Sequence, residues 1–206
     1  MELRRKIEEV VGSPYRYALF YNFPSALRFK LSEGGSPLDQ VLSALRKGTL
    51  ICDDAFQGEE TILVHLRAFS PASRFGLRST LRELQVAGIK IPRLRDEWLE
   101  TEDQTRDDDD GQKYWVNCAF EVAKAKLQNL LWCAITTDFG SDLRPNPHCR
   151  VYLLNMAKRI VAHPYDDRGL DLISQCPSAL AGLYERHNDL LLDYDMEKMR
   201  RTFASF

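Results

Sequence analysis

The sequence has no long hydrophobic run. Of its 206 residues, 44% are hydrophobic and 28% are charged, which is the usual composition of a globular protein. No stretch approaches the roughly 18 consecutive apolar residues of a transmembrane helix. Residues 1–11 place their apolar side chains at helical spacing and lack the apolar core of a signal peptide. We therefore expect a cytoplasmic protein that does not enter a membrane.

An excess of charge of one sign is also missing. The chain has 28 Lys and Arg residues against 30 Asp and Glu residues. Because nucleic-acid-binding domains carry a marked excess or patch of positive charge, we expect no nucleic acid partner. A basic stretch between Arg78 and Arg95 does not change this prediction, since the acidic segment that follows it would repel phosphate.

Cysteine is scarce and irregularly placed. The five cysteines are odd in number and widely spaced, unlike a disulfide framework or the paired ligands of a zinc site. Cys118, Cys133, Cys149 and the adjacent His148 suggest a zinc site or a Cys–His nucleophile, but their spacing matches no compact ligand pattern. We expect reduced thiols, with Cys118 and Cys133 buried as small apolar side chains.

Common catalytic motifs are absent as well. The chain contains no GxxxxGK[ST] phosphate loop, no GxGxxG turn after a strand, no GxSxG elbow and no HExxH helix. These absences argue against the commonest nucleotide-binding, hydrolase and metalloprotease folds. We expect no catalytic residue, no metal and no other cofactor.

Hydrophobic periodicity predicts a single α+β domain over residues 1–206, with a mixed, mainly antiparallel sheet flanked by helices. Strands are predicted over 62–69, 114–122, 151–154, 159–162 and 170–173, after an early β-ribbon built from 17–21 and 27–31. Helices are predicted over 1–11, 38–47, 78–86, 123–136 and 178–184, followed by a last helix with Asp195 as its N-cap. Ser36 is placed to cap the helix at 38–47, and Gly48 to end it.

One segment differs sharply from the rest in composition. Nine of the fifteen residues from Asp96 to Asp110 are Asp or Glu, so we expect an exposed acidic loop at about 96–112. Such a run is often only a solvated surface. It can also meet a basic partner, because complementary charge speeds encounter. The candidate partner-binding residues of the loop are Glu102, Asp103, Asp107, Asp108, Asp109 and Asp110.

The most specific motif lies in the last third of the chain, where residues 165–171 read YDDRGLD. Asp bonds its own backbone readily and Gly tolerates positive φ, so the motif predicts a turn. Asp166 and Asp167 are two further candidates for partner contact. The alternative is that C-terminal aspartates bind Mg²⁺ or divide acid and base roles in a hydrolase. These aspartates are Asp166, Asp167, Asp171, Asp193 and Asp195.

Residues 145–203 resemble a bacterial family of uncharacterised domains of unknown function. The likeness rests on a hairpin followed by the YDDRGLD turn, then Leu-Tyr at 183–184 and Asp-Tyr-Asp at 193–195, and residues 27–31 look like the family's first strand. Small, motif-poor bacterial proteins of this kind are often immunity proteins, as in contact-dependent growth inhibition. By analogy, the resemblance implies an immunity protein that binds and neutralises a cognate toxin domain, most concretely a basic nuclease. The alternatives are a metal-dependent hydrolase or nuclease and a regulatory protein-interaction domain.

Overall fold

The core of the fold is a seven-stranded sheet. The structure, a computed structural model, describes residues 1–12, 19–70, 77–101, 114–140 and 142–204. The strands in these residues are β1 (Ser25–Lys30), β2 (Thr61–Ser70), β3 (Asp96–Thr101), β4 (Tyr114–Ala123), β5 (Arg150–Asn155), β6 (Ile160–Pro164) and β7 (Gly169–Ser174). All neighbours pair antiparallel in the order β1-β7-β6-β5-β2-β4-β3. The predicted α+β fold is confirmed, and β1 and β3 are the two edges of the sheet.

Seven α-helices accompany the sheet in the same residues. They are α1 (Glu2–Val11), α2 (Leu19–Asn22), α3 (Pro37–Ala55), α4 (Leu77–Val86), α5 (Leu127–Ile135), α6 (Ser178–Arg186) and α7 (Met196–Phe203). The predicted helices at the N-terminus, at 78–86 and at 178–184 match α1, α4 and α6. Within the described ranges, no helix is long and apolar enough to cross a membrane.

Helices cover both faces of the sheet. Side chains alternate between the faces along each strand, so contacts from single residues identify the face that a helix covers. On one face the Asn155 side chain donates a hydrogen bond to the Ala55 carbonyl of α3 at 2.9 Å. On the other face α1 places the Arg4 guanidinium 5.5 Å from the Trp98 ring centre. The buried apolar core therefore lies between the sheet and these helices.

α3 begins where the sequence predicts but ends later. The Ser36 hydroxyl accepts a hydrogen bond from the Asp39 N–H at 3.2 Å, and the Asp39 carboxylate accepts one from the Ser36 N–H at 3.2 Å, which is a capping box. The predicted end at Gly48 is wrong, because the helix continues past it. A Cβ at Gly48 would lie 3.9 Å from the Leu131 side chain of α5. Gly48 therefore allows the two helices to pack closely.

The predicted strand over 27–31 is confirmed as β1, but its pairing with 17–21 in a β-ribbon is wrong. Residues 17 and 18 lie outside the described residues, Leu19–Asn22 form α2, and β1 pairs with β7 from the far end of the chain. Phe20 is fully buried and lies 4.6 Å from the Arg28 guanidinium. The aromatic content of this segment therefore reflects the burial of a short helix and not a strand.

The acidic segment does not begin as a loop. Residues Asp96–Thr101 form β3 and pair with β4 along their whole length, which corrects the predicted loop boundary at 96. Trp98 lies between Glu97 and Glu100 in the sequence of β3 and is buried. Its ring stacks on the His65 ring, with the two ring centres 4.9 Å apart. Trp98, the ladder bonds and the ion pairs of its three carboxylates together hold this acidic strand in the sheet.

Candidate functional site

A row of polar and aromatic side chains crosses one face of the sheet. The row takes one residue from each of the seven strands, and the register pairs Trp98 with Asn117, His65 with Tyr152, and Asp171 with both His163 and Arg28. From the β3 edge to the β1 edge they are Trp98, Asn117, His65, Tyr152, His163, Asp171 and Arg28. The rings of Tyr152 and His163 stack at 4.2 Å, and His65 Nε2 lies 3.0 Å from Asn117 Oδ1. Ring contacts and this polar contact link the row from Trp98 to His163, and a salt bridge links Asp171 to Arg28.

Both histidines of the row are neutral at physiological pH. Burial lowers the pKa of His65 to about 3 and that of His163 to about 4. The nearby guanidiniums of Arg150 and Arg28 lower the pKa of His163 further. His163 Nδ1–H donates to the Val151 carbonyl at 3.2 Å, which leaves Nε2 as an acceptor. A group with so low a pKa is a poor general base near pH 7.

Arg28 is the centre of an ion-pair network at the β1 edge. Its guanidinium donates to both oxygens of Asp171 at 2.8 and 2.9 Å and to Asp195 at 3.2 Å. The Tyr21 hydroxyl donates to Asp195 at 3.0 Å. Burial by itself lowers the pKa of Arg28, but its hydrogen bonds and attraction to Asp171 outweigh this and raise the pKa overall. The network ties α2, β1 and β7 to the segment before α7.

This network corrects the prediction for Asp195. Asp195 directly precedes α7, as predicted, but its side chain makes no capping hydrogen bond. Its carboxylate binds Arg28 and Tyr21 instead, and the residue is buried. The local pattern correctly placed Asp195 before the last helix. Its side chain, however, pairs with Arg28, which lies far away in the sequence.

The YDDRGLD segment forms a turn in which the carboxylates of Asp166 and Asp167 are buried. Asp166 accepts hydrogen bonds from the backbone N–H and from Nε of Arg168, both at 2.8 Å, and Asp167 accepts one from the Ser32 hydroxyl at 3.0 Å. Asp166 and Asp167 are only 3% and 5% exposed, whereas the Arg168 side chain is 71% exposed. The turn therefore displays a guanidinium at the surface, and partner contact by Asp166 or Asp167 stays a prediction.

Gly169 has a steric role in this turn. A Cβ at this position would overlap the phenol of Tyr165, so the aromatic ring can lie against the backbone only if residue 169 has no side chain. Burial is the main cause that raises the pKa of Tyr165, and the neighbouring Asp171 adds to it. The motif therefore combines a turn, an ion pair and a packed aromatic ring.

A cavity of about 520 Å³ opens beside the row and the turn. Its charged lining consists of three arginines and three aspartates, namely Arg28, Arg150, Arg168, Asp138, Asp166 and Asp171. Opposite charges therefore balance around it, and Arg28 and Arg168 are already paired with aspartates. Tyr21, Tyr152, Tyr165 and His163 add polar aromatic groups. Asp166, Asp171 and Arg168 belong to the motif that the sequence marks, whereas Arg28 and Arg150 were missed because their only local signal is a charge within a largely apolar strand.

The predicted alternatives for metal chemistry receive no support from the described side chains. Asp171 and Asp195 bind the same guanidinium, Asp166 binds Arg168, and Asp193 is exposed. In the part of the chain that the structure describes, no three His, Cys, Asp or Glu side chains are grouped so that they could hold a metal ion. The aspartates of the hydrolase hypothesis therefore do not converge on one point there.

Cys118 and Cys133 are buried, as the sequence predicts. Cys118, Cys133 and Cys149 are buried free thiols, and burial raises the pKa of Cys118 and Cys133 to about 12. His148 lies in a loop. Since a nucleophilic cysteine needs a lowered pKa, these thiols are unsuited to nucleophilic attack.

The acidic tract, defined here as residues 102–113, joins two strands at the β3 edge. Thr101 ends β3, Tyr114 begins β4, and the two residues pair. Both ends of the tract are therefore held side by side at the sheet. The six candidate residues of the tract, Glu102, Asp103, Asp107, Asp108, Asp109 and Asp110, lie outside the described residues.

Comparison with known protein families assigns the chain to a family. Residues 4–195 match the domain of unknown function DUF3885. The chain belongs to the DUF3885 family. The match covers the sheet, the ion-pair network and the YDDRGLD turn, so these features are parts of the DUF3885 domain. No curated protein and no solved structure shows significant similarity to the chain.

Proposed function

We propose that this DUF3885 protein is a binding protein, and most concretely an immunity protein that neutralises a cognate toxin domain in the bacterial cytoplasm. The toxin would be basic, with a nuclease as the leading candidate. The observation that carries the proposal is the acidic tract, whose two ends leave the sheet at the paired residues Thr101 and Tyr114. A protein partner of opposite charge is the class of ligand that such a surface attracts.

The charge of the tract supports this proposal. Between residues 102 and 113 there are six acidic and two basic residues, which gives a net charge of −4. The whole chain carries only −2, so the tract is more negative than the protein as a whole. A local field of this kind accelerates association with a basic surface. It also suits a nuclease, because nucleases that bind phosphate backbones carry basic clefts.

The ion pairs of the opposite edge also support a binding role. The carboxylates there are engaged with guanidiniums and hydroxyls, as the bonds from Arg28 to Asp171 and from Ser32 to Asp167 show. Such bonds hold the strands and the turn in place. They also occupy the carboxylates that acid–base or metal chemistry would need. A sheet held by such bonds, with a charged segment attached between β3 and β4, is a suitable scaffold for a tight, preorganised interface.

The proposal is tested by isolating the partner and measuring its binding. The chain, tagged and expressed together with the adjacent reading frame of its own genome, is purified, and co-purifying protein is identified by mass spectrometry. The partner is then titrated with a variant in which Asp107, Asp108, Asp109 and Asp110 are changed to Asn. At low salt we expect its association rate to fall about tenfold or more.

A matched control carries the same change in charge elsewhere. This control neutralises four exposed carboxylates that belong to no ion pair of the described residues. The four changes are Glu60→Gln, Glu185→Gln, Asp189→Asn and Asp193→Asn. We expect this control to bind nearly as fast as the unchanged chain. Equal slowing by both variants would show that only total charge matters and would contradict a role for the tract. Failure to recover any protein partner would contradict the proposed function.

A further inference from the structure

The direction of the backbone groups on each strand follows from one hydrogen bond. In an antiparallel ladder, the N–H and C=O of one residue point to one side, and those of the next residue point to the other side. The Lys124 N–H donates to the Glu60 carbonyl at 2.8 Å, one position beyond the pair of Thr61 and Ala123. Even-numbered residues of β2 and β4 therefore bond to each other. The odd-numbered residues of β4 face β3.

The register then shows which groups β3 presents at its outer side. Trp98 and Glu100 lie opposite odd-numbered residues of β4 and bond to them. Glu97, Leu99 and Thr101 consequently point their N–H and C=O groups away from β4. These outward groups have the spacing that a further strand would need.

The β1 edge shows what a covered edge looks like in the same molecule. By the same alternation, starting from the Leu31 N–H on the Arg168 carbonyl, the backbone of Arg28 points outward. There its carbonyl accepts from the Leu192 N–H at 2.8 Å and its N–H donates to the Met199 sulfur at 3.3 Å. The C-terminal segment therefore closes this edge.

The β3 edge is not closed in this way by any part of the chain that the structure describes. No described strand pairs with its outer side, and no described group bonds to the outward backbone of Glu97 or Leu99. The Leu99 residue is 39% exposed, although it belongs to a strand. Open edges are sites of strand addition, and proteins normally protect them.

We propose that the β3 edge binds an extended, basic segment of a protein partner, which adds as an eighth strand beside Glu97 and Leu99. Backbone hydrogen bonds would give the affinity, and an apolar side chain of the partner would pack beside Leu99. This proposal deepens the function proposed above, because the partner segment would belong to the bound toxin.

The charge at this edge favours a basic occupant. The carboxylates within β3 already have partners: the N-terminal amine lies 2.9 Å from Asp96, Arg95 lies 2.6 Å from Glu97, and Arg67 lies 2.8 Å from Glu100. The acidic tract, which starts directly after Thr101, adds a net charge of −4 by its sequence. A strand that adds to β3 would have one of its ends beside Thr101, where the acidic tract begins. Lysine and arginine at that end would be attracted by the negative charge of the tract.

Hydrogen exchange with a defined peptide tests this proposal without the toxin. The intact, ¹⁵N-labelled chain is mixed with an octapeptide of alternating Lys and Val, and with a control octapeptide of alternating Glu and Val. We expect the amides of Glu97 and Leu99 to exchange rapidly in the free chain and about tenfold more slowly with the Lys–Val peptide. The amides of Trp98 and Glu100 should exchange slowly in both states.

A proline variant provides the second readout. Leu99→Pro removes an outward N–H without removing a bond to β4, and proline is tolerated on edge strands. Thermal unfolding confirms that the variant is folded, and the Lys–Val peptide should then no longer protect Glu97.

Protection of Glu97 and Leu99 in the free chain, equal protection by the Glu–Val peptide, or unchanged binding to the variant would each overturn the proposal. Protection that rises with protein concentration alone would identify a second copy as the occupant instead. Recovery of a toxin is a separate result, so the two proposals can fail independently.

Discussion

The two edges of the sheet are built differently. At β1, Arg28 holds Asp171 and Asp195 in buried ion pairs, and the C-terminal segment bonds to the outer side of the strand. At β3, the described residues leave the outer backbone of Glu97 and Leu99 without a partner, and an acidic tract follows the strand. One edge is closed by contacts within the chain, whereas no described residue closes the other.

This difference suggests that the β1 edge contributes mainly to stability and the β3 edge mainly to binding. Removing one member of a buried ion pair leaves an uncompensated charge and is costly, so changes at the β1 edge should act mainly on folding. A change at Leu99, on the outer side of β3, breaks no ion pair and should act mainly on association.

Arg28→Met should destabilise the protein most. It leaves Asp171 and Asp195 buried without their guanidinium, so we expect a loss of about 3–5 kcal/mol in the free energy of unfolding. Urea denaturation followed by circular dichroism measures this loss. Arg201→Met is the matched control, because its ion pair with Glu197 is exposed, and such pairs contribute about 0–1 kcal/mol. Similar losses for both variants would contradict the structural role of the network.

Gly169→Ala should be the next most damaging change. The new methyl group would overlap the Tyr165 ring, and overpacking of this kind costs about 1–3 kcal/mol. Gly182→Ala is the control, since no atom lies within 4 Å of a Cβ at that helical position. There we expect a gain of about 0.5–1 kcal/mol, because alanine favours helices over glycine. A neutral Gly169→Ala would show that Tyr165 moves aside at no cost.

Much of the sheet could be predicted from the sequence, whereas β3 and the pairing of β1 with β7 could not. The strands at 62–69 and 114–122 and the hairpin at 151–162 are long or apolar enough for their pattern to decide. β3 was hidden because its carboxylates look like the start of a loop, and only Trp98 marks it as a strand. The pair of Arg28 and Asp171 joins residues 143 positions apart, and no local pattern reports a contact of that range.

Stability should fall in mild acid because two histidines of the polar row are buried in the neutral form. The pKa values of His65 and His163 in the folded chain are about 3 and about 4, below the ordinary value of 6.5. As the pH falls below 6.5, the unfolded chain therefore takes up these protons first. His65 alone should reduce the free energy of unfolding by about 1.4 kcal/mol per pH unit, and His163 should add to this until about pH 4.

Urea denaturation at pH values between 6.5 and 4.5 measures this dependence. The double variant His65→Gln and His163→Gln should show a flatter profile over the same interval, whatever its stability at pH 7. An unchanged slope in the variant would show that other groups cause the loss.

Two proline substitutions give the smallest and most specific contrast. At the β1 edge, Leu192 has φ −73°, which proline adopts without strain, so Leu192→Pro removes little more than the N–H that bonds to the Arg28 carbonyl. We expect a loss of about 1–2 kcal/mol in the free energy of unfolding. Leu99→Pro at the β3 edge removes no described bond and should cost less than about 1 kcal/mol. Thermal unfolding of the two variants side by side measures the difference, and a larger loss at Leu99 would contradict an open β3 edge.

The most direct test of the division between the edges is residue-resolved hydrogen exchange of the chain bound to the protein that co-purifies with it. The account predicts new protection of the Glu97 and Leu99 amides at the β3 edge, with the amides of β1 and of the YDDRGLD turn unchanged. Protection confined to the β1 edge, the turn or the cavity would contradict it and would place the binding surface at the opposite end of the sheet.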